Sequence, residues 1–168
     1  MNDIILKYKK ITCKLVNTQH IDCGWLDWMN NSETIQNLSA KGPFLKNDLC
    51  TYLKETDSLL FLACYSETGI YFGNLRIYQT SEKIASFGRL IGDENYRGKG
   101  YGTLMSELAI SLIFDFFKFE TIIVGNKSNN HASKVSKIKS GFRKLKKEEV
   151  SFFLHRHEKN TDYYIKQR

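Results

Sequence analysis

The sequence predicts a mixed α/β fold built on one central, mostly antiparallel sheet. Three observations lead there. Apolar residues recur near helical spacing in the first third of the chain. The period then shifts towards two over residues 58–92, and strand-like and helix-like segments alternate through the remainder. A length of 168 residues with 42% hydrophobic content suits one domain, residues 1–168, with a packed core.

Each element follows from its local pattern. Residues 11–16 alternate as a first strand. In QHIDCGWLDWMNN, residues 19–31, Ile21, Trp25, Leu26, Trp28 and Met29 fall close to helical spacing. Ser32 is placed to cap a short helix running to Leu38. Residues 45–55 make another helix, with Leu45, Leu49, Tyr52 and Leu53 on its apolar face and Asn47 or Asp48 in its first turn. SLLFLACY, residues 58–65, is a buried strand, and residues 70–80 and 83–92 extend it into a meander. From Tyr101 a helix of about five turns carries Leu104, Leu108, Leu112 and Phe116 on one face. ETIIVG, residues 120–125, is a short buried strand. The helix in residues 129–142 has Ala132, Val135 and Ile138 inside and Gly141 as its C-terminal cap. VSFFLHR, residues 150–156, and DYYIKQ, residues 162–167, close the chain as strands.

Composition narrows the function. No stretch approaches the roughly 18 apolar residues that cross a bilayer, and MNDIILKYKK has the wrong charge order for a signal peptide. Cys13, Cys23, Cys50 and Cys64 form no CxxC pair, so reduced thiols and a cytoplasmic location are expected. No metal is expected: His155 and His157, flanking Arg156, share one face of the expected strand but lack a third ligand. The net charge of +7 suits a polyanion. Nucleic acid is not the expected partner, because the cations are scattered and the densest run, RKLKKEE at residues 143–149, is broken by two acids.

The stretch ENYRGKGYGT, residues 94–103, carries the chemistry. Gly98, Gly100 and Gly102 stand at every second position between the end of a strand and the start of a helix. Such a loop presents successive backbone N–H groups at the positive end of a helix, a ready anion site, and glycine lets the backbone approach the anion closely. Arg97 and Lys99 add charge, and Thr103 adds a hydroxyl. A tight connection with solvated cations is the plain alternative. The spacing is neither GxxxxGK[ST] nor GxGxxG.

Arg97-Gly98-Lys99-Gly100-Tyr101-Gly102 resembles the (Q/R)xxGx(G/A) loop of the GNAT superfamily of acyl-CoA-dependent N-acetyltransferases. Asn130, followed twelve residues later by the Phe of Gly141-Phe142, is similar to that family's later helix signature. WLDWMNNSETIQNL resembles the opening of a branch acting on ribosomal-protein N-termini and on amino sugars of surface glycans. The resemblance, over roughly residues 10–165, implies a sheet of six to seven strands. The family's fourth and fifth strands would form a splayed parallel pair, with about four helices flanking the sheet.

It implies acetyl-CoA as cofactor. The amides of residues 97–103, Tyr101 included, would hold its pyrophosphate. The backbone of Leu90, Ile91 and Gly92 would pair with pantetheine, the N–H near Ile91 would face the oxyanion, and Asn130 and Ser133 would border the arm. Asn130 is equally well placed as a plain helix cap. Where many relatives carry a Tyr acid this chain has Lys137, either a proton donor or a solvated lysine. Where many carry a strand Glu it has Ser86. Glu33 and Asp27 are the nearest early carboxylates. Trp25, Trp28 and Asn30 would border the acceptor, the tryptophans alternatively packing in the core. Arg89, a cation within a strand, would meet an acceptor phosphate or an acid. The expected acceptor is a small-molecule amine, a nucleotide-linked amino sugar first; the alternatives are a protein N-terminus, then a polyamine or aminoglycoside, and a degenerate domain that only binds acetyl-CoA as a sensor. Family domains often pair as homodimers, and the sequence leaves this open.

Overall fold

The computed structural model describes residues 5–37, 42–154 and 157–168. Leu38, His155 and Arg156, used in the readings above, lie outside the described residues.

Eight strands form one sheet in the order β1-β2-β3-β4-β5-β6-β8-β7. They are β1 (Ile5–Tyr8), β2 (Ile11–Leu15), β3 (Leu60–Tyr65), β4 (Tyr71–Gln79), β5 (Ile84–Ile91), β6 (Thr121–Lys127), β7 (Arg143–Lys144) and β8 (Thr161–Gln167). Every neighbouring pair is antiparallel except β5 and β6. That parallel pair is in register only at Ile84 with Thr121 and Ala85 with Ile122. Beyond Ala85 the two strands part, which is the splay the resemblance implied.

The described helices are α1 (Leu26–Asn30), entered through a π-helical turn Ile21–Trp25, then α2 (Ser32–Asn37), α3 (Lys46–Glu55), α4 (Tyr101–Ser111), α5 (His131–Lys139) and α6 (Lys147–Phe153). A second π-helical turn, Leu112–Phe116, continues α4. The main core lies between the sheet and α4, around Leu62, Phe72, Leu75, Ile77, Met105, Ile113 and Ile122. A smaller core on the opposite face packs Ile21, Trp25 and Leu49 against Phe61 and Leu90.

Several expectations are corrected. Residues 147–153 form α6, not a strand: Glu149 accepts from Lys146 N–H (2.8 Å) and pairs with Arg143, fixing a helix start ahead of the apolar run. Strands β1 and β7 were unforeseen and, with the expected strand at 150–156 lost to α6, bring the count to eight; β1 makes the family's fourth strand β5 here. Asn31, not Ser32, caps α2, its Oδ1 accepting from Glu33 N–H (3.0 Å). Phe116 is exposed, because the buried stripe of α4 runs instead through Tyr101, Met105, Leu108 and Ala109. Gly141 does take the positive φ of a C-terminal cap (80°).

In α5 the expected face is inverted. Ala132, Val135 and Ile138 point outward, and Lys137 is the buried residue, with Ser133 and Ser136 half-buried beside it. A helix that turns its polar stripe inward is covering a polar cleft rather than an apolar core.

Candidate active site

Side chains of β5 alternate between two environments. Leu90 joins the core beneath α1 and α3, whereas Phe87 and Ile91 join the core beneath α4. The strand therefore offers Ser86, Gly88 and Leu90 to one face and Phe87, Arg89 and Ile91 to the other. Backbone groups alternate as well. Lys83 O accepts from Thr121 N–H (3.2 Å) on β6, so the polar groups of Ala85, Phe87, Arg89 and Ile91 lie on the β6 side. Past the splay this edge can pair with an extended ligand, as an added strand would.

The glycine loop opens where β5 ends. A short turn Glu94–Tyr96 is capped by Asp93 Oδ1, which accepts from Asn95 N–H (2.9 Å). Gly98 and Gly100 take left-handed conformations (φ 70° and 85°), and nothing lies within 4 Å of where a Cβ would stand on either. The backbone here is bare, and α4 starts at Tyr101 with its first-turn N–H groups facing the same loop. Tyr101 is buried against Phe72 and Tyr96 (ring centroids 4.8 and 5.0 Å), and this anchors the helix start. Lys99 lines a neighbouring cavity of about 430 Å³ with Asn95, Tyr96 and Tyr101. These features fit a diphosphate: the N–H groups of residues 98–102, a helix N-terminus and, beside them, Lys99, which makes no ion pair among the described residues.

Arg97 plays a different part. Its guanidinium turns back, donating to Ile91 O (3.1 Å) and Gly92 O (3.2 Å), and its outer edge pairs with Glu33 of α2. It ties the loop to the end of β5. Glu33 is thereby held as an ion-pair partner with an exposed side chain, which is a poor setting for a base. Asp27 is exposed.

α5 closes the cleft from the β6 side. Asn130 Oδ1 accepts from Ser133 N–H (3.0 Å), so Asn130 is the helix cap. Thr103 and Ser136 hydroxyls meet across α4 and α5 at 3.4 Å. Lys137 is 3% exposed, which sets aside the solvated alternative. Its Nζ donates to Asn126 Oδ1 (2.8 Å), Ser133 Oγ (2.9 Å) and Gly125 O (3.2 Å) and lies 5.5 Å from the Tyr164 ring centre. Burial, reinforced by the charge of Arg89, lowers the lysine pKa to about 7.

Arg89 points to the α4 face, away from α1. It donates to Ser106 Oγ (2.8 Å), and Ser106 donates in turn to Gly102 O (3.0 Å). The expected acceptor-side orientation is corrected by the strand alternation. Burial lowers the Arg89 pKa to about 10, which leaves it protonated at neutral pH.

On the other face Trp25 is core, packed edge-on to Phe61 (5.4 Å) and Tyr52 (6.3 Å). Asn30 is structural too, its amide exchanging hydrogen bonds with Phe44 N and O (2.7 and 2.9 Å). Trp28 differs: half-buried, it stacks obliquely on Tyr71 (4.6 Å) and covers Gly92, where a Cβ would overlap the indole. Tyr71 donates to Asn74 Oδ1 (2.7 Å), and the buried Asn74 Nδ2 has no partner among the described residues. Ser86 is buried one residue beyond the last β5–β6 register pair. A second cavity of about 450 Å³ lies between α2 and the end of β6, lined by Gln36, Lys127, Ser128, Asn129 and Asn160. Among the described residues no group of three His, Cys, Asp or Glu could hold a metal, and no helix is long and apolar enough to span a membrane.

Sequence reading missed Tyr71, Asn74, Ser106, Asn126 and Tyr164. All sit within ordinary strand or helix patterns, and only the register brings them to the cleft.

Solved structures share this architecture. An acetyltransferase of the GNAT family from Bacillus anthracis aligns with a TM-score of 0.80 at 13% identity, covering 98% of both chains. The aminoglycoside acetyltransferase AAC(6')-Ib in complex with coenzyme A gives 0.75 at 16% identity, over 94% of this chain and 95% of that one. Ribosomal-protein-S5-alanine acetyltransferase from Vibrio fischeri gives 0.69 at 14% identity, over 99% and 96%. At these identities the likeness is one of fold. No curated protein matches the chain in sequence. The sequence profile of the acetyltransferase (GNAT) domain matches residues 18–143, three-quarters of the chain and all of the cleft except β8, and the chain belongs to this acetyltransferase family.

Proposed function

We propose that the protein moves an acetyl group from acetyl-CoA to a primary amine on a nucleotide-linked amino sugar. The observation that carries the donor is the bare, left-handed backbone at Gly98 and Gly100, opening α4 beside the unpaired edge of β5. The amides of residues 98–102 and Lys99 would hold the diphosphate, and the β5 backbone from Arg89 to Gly92 would hold the extended arm. Bound acetyl-CoA supplies a thioester, an activated acyl carbon with a good leaving group.

The chain's own groups then have separate tasks. The Ile91 N–H lies on the cleft side of β5 and is the donor for the carbonyl oxygen as charge develops there. Lys137, buried at the cleft wall, holds the proton that the departing sulfur needs. An alkylammonium acceptor with an ordinary pKa near 10 must first lose a proton, and water at the cleft mouth takes it.

The acceptor class rests on the polar cavity of Gln36, Lys127, Ser128, Asn129 and Asn160, which supplies amides, a hydroxyl and the Lys127 ammonium, itself paired with Glu158 at 3.4 Å. Such a lining suits sugar hydroxyls and a phosphate better than an apolar chain. The net charge of +7 also disfavours a polycation. Thiol release from acetyl-CoA tests the reading across UDP- and dTDP-linked 4-amino sugars, ribosomal N-terminal peptides, spermidine and kanamycin. Turnover confined to the nucleotide sugars is the expected result. Turnover on peptides or kanamycin alone would overturn the acceptor class.

A further inference from the structure

Two cations, the half-buried Arg89 and the buried Lys137, face the same cleft. Arg89 on β5 and Lys137 on α5 both lie on the α4 side of the sheet, and among the described residues neither takes part in an ion pair. Their partners are neutral. Arg89 has Ser106 on α4. Lys137 has Ser133 on its own helix, Gly125 O and Asn126 on β6, and the Tyr164 ring on β8. The Tyr164 hydroxyl is buried without a partner among the described residues. Burying one charge without a counter-charge costs several kcal/mol, and burying two like charges together costs more. A fold that only needed to fill this space would use apolar residues, as it does beside them with Phe87, Val124 and Phe142.

We propose that Arg89 is a positioning residue for acyl transfer: its fixed, half-buried charge, uncompensated by any acid among the described residues, poises Lys137 to give up its proton to the departing coenzyme A sulfur. This rests on the acetyl-CoA reading above. As the acceptor nitrogen bonds to the acyl carbon, the carbon–sulfur bond breaks and its electron pair passes to sulfur. Lys137 Nζ gives that sulfur a proton and becomes a neutral amine. The proton lost from the acceptor nitrogen leaves to water, and solvent reprotonates Lys137, so atoms and charge balance. Arg89 touches neither reacting atom. Burial destabilises the Lys137 ammonium, the Arg89 charge adds to that, and Ser106, locked to Gly102 O, keeps the charge in place.

The test reads Lys137 directly. The full chain, carrying ¹³C-labelled lysine, is titrated by NMR without ligand, with the Lys137 resonance assigned by its loss in Lys137→Arg. Arg89→Lys keeps a positive charge and Arg89→Met removes it. The expected result is a near-neutral Lys137 midpoint in the wild type, held in Arg89→Lys and raised by about one pH unit or more in Arg89→Met. The basic limb of thiol release moves with it. An Arg89→Met chain that fails to fold leaves the Arg89→Lys comparison and the wild-type midpoint to decide. A wild-type midpoint near that of a free lysine overturns the proposal, as does an unchanged midpoint in folded Arg89→Met. Acetyl-CoA binding is measured separately by calorimetry. A chain that binds no acetyl-CoA yet shows the coupled titration would refute the donor reading and leave the coupling standing.

Discussion

Replacing Lys137 by Met should change both the size of the protein's stability and its pH dependence. Burial and the Arg89 charge bring Lys137 from 10.5 to about 7. That gap of roughly 3.5 units corresponds to about 5 kcal/mol of destabilisation at neutral pH, as an order of magnitude. Between the two values the unfolded chain binds more protons than the folded one. Wild-type stability therefore rises with pH through this window, by about 1.4 kcal/mol per unit from this residue. Lys137→Met removes the charge but strands Gly125 O, Asn126 Oδ1 and Ser133 Oγ, at about 1 kcal/mol each and independently of pH. Near pH 7 the variant should be more stable by roughly 2 kcal/mol, and near pH 9 the order should close or reverse, a relative change of about 3 kcal/mol. Urea unfolding of both proteins at the two pH values measures it. Other titrating groups cancel in the difference. A gap that does not change with pH would refute the reasoning, because it would mean that Lys137 titrates as an exposed lysine does.

Three further outcomes are expected. Glu33→Ala should cost under about 1 kcal/mol of stability in thermal melts and leave turnover near normal, because it breaks only an exposed ion pair while Arg97 keeps Ile91 O and Gly92 O; a hundredfold loss of turnover would make Glu33 a base. Gly92→Ala should displace Trp28 and lose about 1–3 kcal/mol, read by denaturant unfolding. Turnover of Lys137→Ala should fall at least about tenfold at saturating substrates, the lower end of a positioned proton donor's contribution, and a normal rate would remove Lys137 from the chemistry.

The parts of the fold carried by local pattern were legible. The meander over residues 58–92, the glycine loop and the Gly141 cap depend on periodicity and backbone freedom, which a sequence displays. Strand β1 was not legible, because its hairpin turns through Lys9 in a left-handed conformation (φ 50°) with no glycine or asparagine to announce it. The run VSFF reads equally as strand or helix, and only the Arg143–Glu149 pairing ahead of it settles α6. In α5 the usual rule failed: Val135 and Ile138 were expected inside, yet the helix turns Ser133, Ser136 and Lys137 inward. Arg89 was singled out correctly as an unusual residue, but its facing depends on β5 register, which no local pattern fixes.

Calorimetric titration of acetyl-CoA into the wild type and into Gly100→Ala tests the account most directly. Gly100 has a left-handed backbone with open space where a Cβ would stand, so the added methyl both strains the loop and occupies the approach of the diphosphate. The account predicts saturable binding to the wild type that weakens at least about tenfold, or 1.4 kcal/mol, in the variant. Equal affinity in both proteins, or no binding to the wild type, would contradict the assignment of this loop and cleft to the acyl donor.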